Sequence, residues 1–82
     1  MKTVEMTRNF KKKSGYTRYL MTEVMTDNPK GRITIKFSYC YPANKSGMFV
    51  EYVQNVFDVT KDEANKEYLK LKKQGFTAKI TK

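Results

Sequence analysis

The ten residues Arg32 to Tyr41, RITIKFSYCY, place Ile33, Ile35, Phe37, Tyr39 and Tyr41 at every second position, with Arg32, Lys36 and Ser38 between them. A period of two puts the first set on one side of a pleated strand and the second on the other, so this run must be a strand with one inward face. The rest of the chain has to supply its neighbours. Upstream, residues 16–26 are β-rich and alternate on both sides, with Leu20, Thr22 and Val24 opposing Tyr19, Met21, Glu23 and Met25. That leaves the register of the strand open. Asp27-Asn28-Pro29-Lys30-Gly31 reads as a turn, because Pro fixes φ and Gly accepts positive φ, and a hairpin follows. After a second turn at residues 42–47, MFVEYVQNVF (48–57) alternates Met48, Val50, Tyr52 and Val56 against Phe49, Glu51, Val53 and Phe57. The expectation is an antiparallel meander whose last strand exposes Phe49, Val53 and Phe57 unless an N-terminal strand, a partner or a second copy covers them.

The helix has stronger local signals. Thr60 followed by Glu63 forms a capping box, Val59 can staple against Ala64, and Asp62 and Glu63 sit at the positive end of the helix dipole. Ala64, Tyr68 and Leu71 share one face with Leu69 at its margin. Gly75 suits the left-handed position after the helix and Phe76 can pack back, so the spacing predicts a helix over about residues 61–74. FTAKIT, residues 76–81, reads as a short final strand. The fold class is therefore α+β: an antiparallel sheet of three to four strands with one helix in the C-terminal half packed on one face, in the order β-β-β-α-β. Residues 1–15 are either a flexible arm or an additional strand of a single small basic domain, residues 1–82.

Size and composition restrict function. Eighty-two residues bury too little surface for a large catalytic cleft, whereas 39% hydrophobic residues are too many for a disordered tail. Without histidine the chain lacks the usual base near neutral pH and the commonest metal ligand, and its single cysteine closes no internal disulfide. No catalytic set, metal site or cofactor site is expected. No run approaches the length of a membrane span and residues 1–10 have no apolar leader core, so the expectation is a cytoplasmic protein with no membrane partner. Cys40, unpaired, fits a reducing compartment.

Charge points to a partner. The net charge is +9, carried as +5 in residues 1–19 and +5 in residues 66–82, with −1 between them. Two basic ends that met in space would focus a positive potential suited to a polyanion or an acidic protein surface. The first candidate segment holds Arg8, Lys11, Lys12, Lys13 and Arg18, which can neutralise phosphates, together with Phe10, Tyr16 and Tyr19, which can stack on unpaired bases. Basic and aromatic residues interleaved in this way suit single-stranded or looped RNA better than a DNA groove. Lys66, Lys70 and Lys73 recur at helical spacing as a ridge facing away from the core, and a solvated helix face accounts for them equally well. Arg32 and Lys36 would extend a basic surface on the outward side of the central strand. Phe49 is a candidate apolar contact.

Residues 45–52, KSGMFVEY, resemble the RNP1 strand of RNA-recognition-motif domains at Lys45, Phe49, Val50 and Tyr52, but depart from it at Ser46, Gly47 and Met48. That pattern's first stacking aromatic is absent, and the order of elements differs. Over its whole length the chain resembles the short basic accessory proteins of T-even-type bacteriophages, in its Met-rich strands, the KKK run at 11–13, the KLKKQ run at 70–74, the many Tyr, Asn and Thr, and the ending GFTAKITK. Several of those proteins antagonise host defences, and one kind inhibits toxin–antitoxin endoribonucleases with RNA involved. The resemblance implies a host-virus role in the host cytoplasm: a stoichiometric inhibitor without turnover, in which Lys11 to Lys13, Arg18 and the helix ridge hold RNA or lie against an endoribonuclease.

Residues and resemblance together lead to the expectation of a non-enzymatic RNA-associated protein. It would contact phosphates with little sequence specificity and occupy or inhibit an RNA-handling protein. The alternatives are a protein-only inhibitor or adaptor docking on an acidic surface, and a ribosome-associated or structural basic protein.

Overall fold

The computed structural model describes residues 3–24, 32–43 and 47–81. The turn expected at 27–31 and residues 44–46 of the second turn lie outside them, as does the side chain of Lys45. Five strands, β1 (Thr3–Asn9), β2 (Tyr16–Val24), β3 (Arg32–Ala43), β4 (Met48–Val59) and β5 (Thr77–Thr81), form one antiparallel sheet in the order β4-β3-β2-β1-β5. One helix, α1 (Lys61–Lys73), lies between β4 and β5 in sequence.

The sheet of three to four strands inferred from sequence is thus one to two strands short of the five present. The fifth strand is β1, formed from the segment read as an arm or a strand. Val4 and Met6 alternate with Thr3, Glu5 and Thr7, and β1 takes a central place because β5 returns to pair with it, from Thr3 opposite Thr81 to Thr7 opposite Thr77. Met6 is fully buried as a result.

Each neighbouring pair is antiparallel, so the two outermost strands run in the same direction and the chain must cross the sheet to join them. The thirteen residues of α1 span about 20 Å at 1.5 Å per residue, close to the roughly 19 Å between the edges of a five-stranded sheet. Thr60 caps the helix as its sequence requires: its Oγ1 accepts the Glu63 N–H at 3.2 Å, while Glu63 Oε1 accepts the Thr60 N–H at 3.4 Å. Gly75 follows at φ +93°, and the Phe76 N–H donates to the Leu71 carbonyl, which closes the last turn.

Between helix and sheet lies the core of Met6, Met21, Ile33, Ile35, Ala64, Leu71 and Phe76, flanked by Val4, Tyr19, Val59, Tyr68 and Ala78. This settles the register of β2: Tyr19, Met21 and Glu23 oppose Phe37, Ile35 and Ile33 on the helix side. In β4 the simple alternation fails. Phe37 pairs with Asn55 and Ser38 with Val53, so Gln54 is an extra, bulged residue. Beyond it Phe57 turns to the helix side opposite Ile35, and Val56 joins the back opposite Lys36, the reverse of the sequence expectation for both.

Candidate nucleic-acid interface

The β1–β2 hairpin carries the first basic cluster. Asn9 pairs with Tyr16, the Phe10 N–H donates to the Gly15 carbonyl at 3.0 Å, and residues 11–14 form an exposed tip. Gly15 sits at φ +121°, and a Cβ there would collide with the Cys40 carbonyl oxygen, so a glycine is required for the hairpin to lie this close to β3. The tip bends to the helix side of the sheet. Phe10 packs on Tyr41 with ring centroids 5.4 Å apart and on Tyr39 at 6.1 Å. The Lys13 ammonium stands 4.9 Å from the Phe10 ring and 5.0 Å from the Tyr41 ring, and Nζ donates to the Tyr41 hydroxyl at 3.5 Å. Lys11 and Lys12 are exposed and have no ion-pair partner among the described residues.

Arg8 joins this hairpin to the helix. Its Nη1 donates to the Gln74 carbonyl at 2.7 Å, and its guanidinium carbon lies 4.7 Å from the centre of the Phe76 ring. A cation at the C-terminal end of a helix is favoured by the dipole. The basic tip and the basic last turn, Lys70, Lys72 and Lys73, therefore come to one end of the molecule. Lys66, Lys70 and Lys73 are exposed on the helix face opposite Ala64 and Leu71, and line a shallow surface groove with Leu69 and Gln74.

The other candidates lie elsewhere. Arg18, Lys36, Tyr16 and Phe49 are on the back of the sheet. Arg18 Nε donates to Glu5 at 2.6 Å and its Nη1 to Glu51 at 2.7 Å, while Lys36 Nζ donates to the other Glu51 oxygen at 3.0 Å. Burial opposes the charge on Glu51, but hydrogen bonds from Lys36 and Arg18 outweigh it and hold the carboxyl below its usual range. Burial likewise opposes the charge on Arg18, and its hydrogen bonds to Glu51 and Glu5 reverse this, holding the group still more firmly protonated. These four side chains sum to zero charge. Tyr16 packs on Phe49 at 5.2 Å, and burial, with a hydrogen bond involving Cys40, raises the Tyr16 phenol above its usual range. Cys40 is on the back of the sheet as its register suggests, yet it is buried. Arg32 is exposed at the far end of β3, opposite Val24, and does not join the hairpin cluster.

The alternation of β3 predicts an inward face for Phe37, Tyr39 and Tyr41, yet part of that face lies open beside the basic tip. α1 covers the first half of β3, while Phe37, Tyr39 and Tyr41 lie outside the core cluster and stay half-buried, in a chain of ring contacts from Tyr19 and Phe37 (4.7 Å, stacked) through Tyr39 to Phe10, Tyr41 and Tyr52. The available signal was length: a helix of about four turns cannot cover a strand of twelve residues.

No group of three or more His, Cys, Asp or Glu that could hold a metal occurs among the described residues, and no helix there is long and apolar enough to cross a membrane. No protein-family model, curated protein or solved structure matches this chain.

Proposed function

We propose that the protein is a non-enzymatic module that holds single-stranded or looped RNA by its phosphates. Lys11, Lys12 and Lys13 at the hairpin tip act together with Lys66, Lys70 and Lys73 along the helix. The observation that carries this reading is the Arg8–Gln74 contact, which joins the two basic segments, while the cations on the back of the sheet are already matched by Glu5 and Glu51. Unmatched positive charge at one end attracts a polyanion by counterion release, without base specificity. Tyr41, Phe10 and the exposed ring of Tyr52 next to that charge offer faces on which unpaired bases can stack.

From this follows a role in occupying an RNA-handling protein, with a toxin endoribonuclease as the kind suggested by the phage-protein resemblance. The bound RNA would be the bridge. The test is retention of single-stranded RNA across a salt series for the full chain and for the triple variant Lys11→Ala, Lys12→Ala, Lys13→Ala. The variant is expected to bind more weakly, with a salt slope shallower by about two to three. Unchanged retention and slope would refute the assignment of the tip. Capture from cells with and without nuclease then separates RNA bridging, where the complex is lost, from direct docking on an acidic protein, where it survives.

A further inference from the structure

Strand β4 is an outer strand twelve residues long whose free edge carries no cation. Its apolar side chains are unusually exposed, with Met48 at 67%, Val56 at 55% and Tyr52 at 53%. A long apolar edge of this kind is a template for another strand. The opposite edge, β5, has five residues and includes Lys79, the type of residue that blunts edge pairing.

From these features we infer that β4 pairs antiparallel with β4 of a second copy, giving a two-fold dimer with one continuous ten-stranded sheet. This goes beyond the RNA-binding reading and does not rest on it. Three observations select a copy of the same chain.

The first is charge. Two molecules of net charge +9 repel, and β4 is where that repulsion is least, because its only ionisable acids are Glu51 and Asp58 and it has no basic residue. Glu51 is matched inside the subunit by Arg18 and Lys36, and Asp58, which accepts the Thr34 hydroxyl at 2.8 Å, keeps the one unmatched charge on the strand. A second β4 therefore meets a single negative charge at one end of the strand and no cation.

The second is register. Opposed residues in an antiparallel pair must share a face, and the bulge at Gln54 reverses the parity of β4 halfway along. One full-length self-pairing satisfies the faces on both sides of the bulge. Val50 then lies opposite Phe57 of the second copy and Tyr52 opposite its Asn55 on the helix side, with Phe49 opposite Asp58 and Glu51 opposite Val56 on the back. Sliding by two residues one way would set Glu51 against Asp58, a like-charge pair, so this register is also the electrostatically favoured one.

The third is area. The exposed apolar side chains of β4 present on the order of 600 Å² per copy, of which strand pairing covers the flanks and leaves the outer faces, the Tyr52 ring included, open, as suits a weak dimer smaller than the ~800 Å² per partner of a standard interface. The two-fold axis stands perpendicular to the sheet, so both helices and both lysine ridges fall on the same side.

The test is molar mass by light scattering and sedimentation on the nuclease-treated full chain, from low micromolar to near-millimolar concentration. The expected result is a transition to twice the 9.7 kDa chain mass that persists or strengthens with added salt, whereas phosphate binding weakens with salt. The two readings can therefore fail separately. Val53→Lys combined with Val56→Lys should weaken dimerisation by roughly tenfold or more, while Leu69→Lys, at an exposed site on the helix, should not. A mass of one chain throughout, or a dimer that persists in a double variant with an unchanged melting curve, overturns the inference. Amide exchange of the unsubstituted chain decides the matter if the double variant does not fold. Outward-facing β4 amides should gain protection as concentration rises, and exchange independent of concentration overturns the proposal.

Discussion

Replacing Glu51 with Gln removes the one carboxylate among the described residues that touches both Arg18 and Lys36, at 2.7 and 3.0 Å, while keeping the shape of the side chain. A well-ordered hydrogen bond to a charged group contributes about 1.5–3 kcal/mol. The side chains here are 22–31% exposed, so solvent screens part of this, and the net loss for the pair is about 1–2 kcal/mol. In a domain of this size that lowers Tm by roughly 5–15 °C. The pH dependence gives a sharper readout. Because the folded-state pKa of Glu51 is depressed, its contribution is fully present above the unfolded value, about 4.3, and is lost as pH falls through the folded value. The unsubstituted chain should therefore exceed Glu51→Gln in stability most clearly near neutral pH, and the two melting curves should converge in acid, where the protonated carboxyl resembles the amide. Thermal melts across that range provide the assay. A stability gap that stays constant into acid, or no gap at neutral pH, would refute the assignment of Glu51 as the electrostatic centre of the sheet's back. The substitution also frees Lys36 from its carboxylate while Arg18 stays on Glu5, so RNA retention should hold or rise even as stability falls.

Gly15→Ala should cost about 2–4 kcal/mol, since it drives a methyl group against the Cys40 carbonyl at a φ that only glycine adopts without strain. Urea unfolding measures this, and a change below half a kilocalorie would mean the hairpin does not lie against β3. Neutralising Lys66, Lys70 and Lys73 together with Gln should weaken RNA retention at low salt while lowering Tm by only a few degrees, because all three are exposed opposite the buried helix face and only the dipole contribution of Lys70 and Lys73 in the last turn is lost. A large drop in Tm would place the ridge in a packed interface.

What the sequence disclosed follows the range of the interactions concerned. The capping box is a contact between residues three apart, so Thr60 and Glu63 announce the start of α1 unaided, and the Arg32–Tyr41 alternation survives because β3 is paired on both sides from Ile33 to Cys40. The alternation of β4 misleads after Gln54, since a bulge depends on how two strands twist together and leaves no local mark on Val56 or Phe57. β1 is legible only once β5 is known to return to it. The neutralisation of Arg18 belongs to the same class: its partners, Glu5 and Glu51, are 13 and 33 residues away and meet it only through strand register. Sequence could count the cations but could not tell which of them remain free.

The pairing of Thr3 with Thr81 bears on how the molecule is assembled. β1 is the first of the five strands to be made, yet one of its two edges stays unsatisfied until β5, the last, arrives. A loop spanning nearly the whole chain must close before that seam can form, and such closure slows collapse to the native state. During that interval Met6 lacks its Ala78 neighbour, which leaves the nascent sheet open to capture by other chains, and any truncation that removes β5 would make that vulnerability permanent.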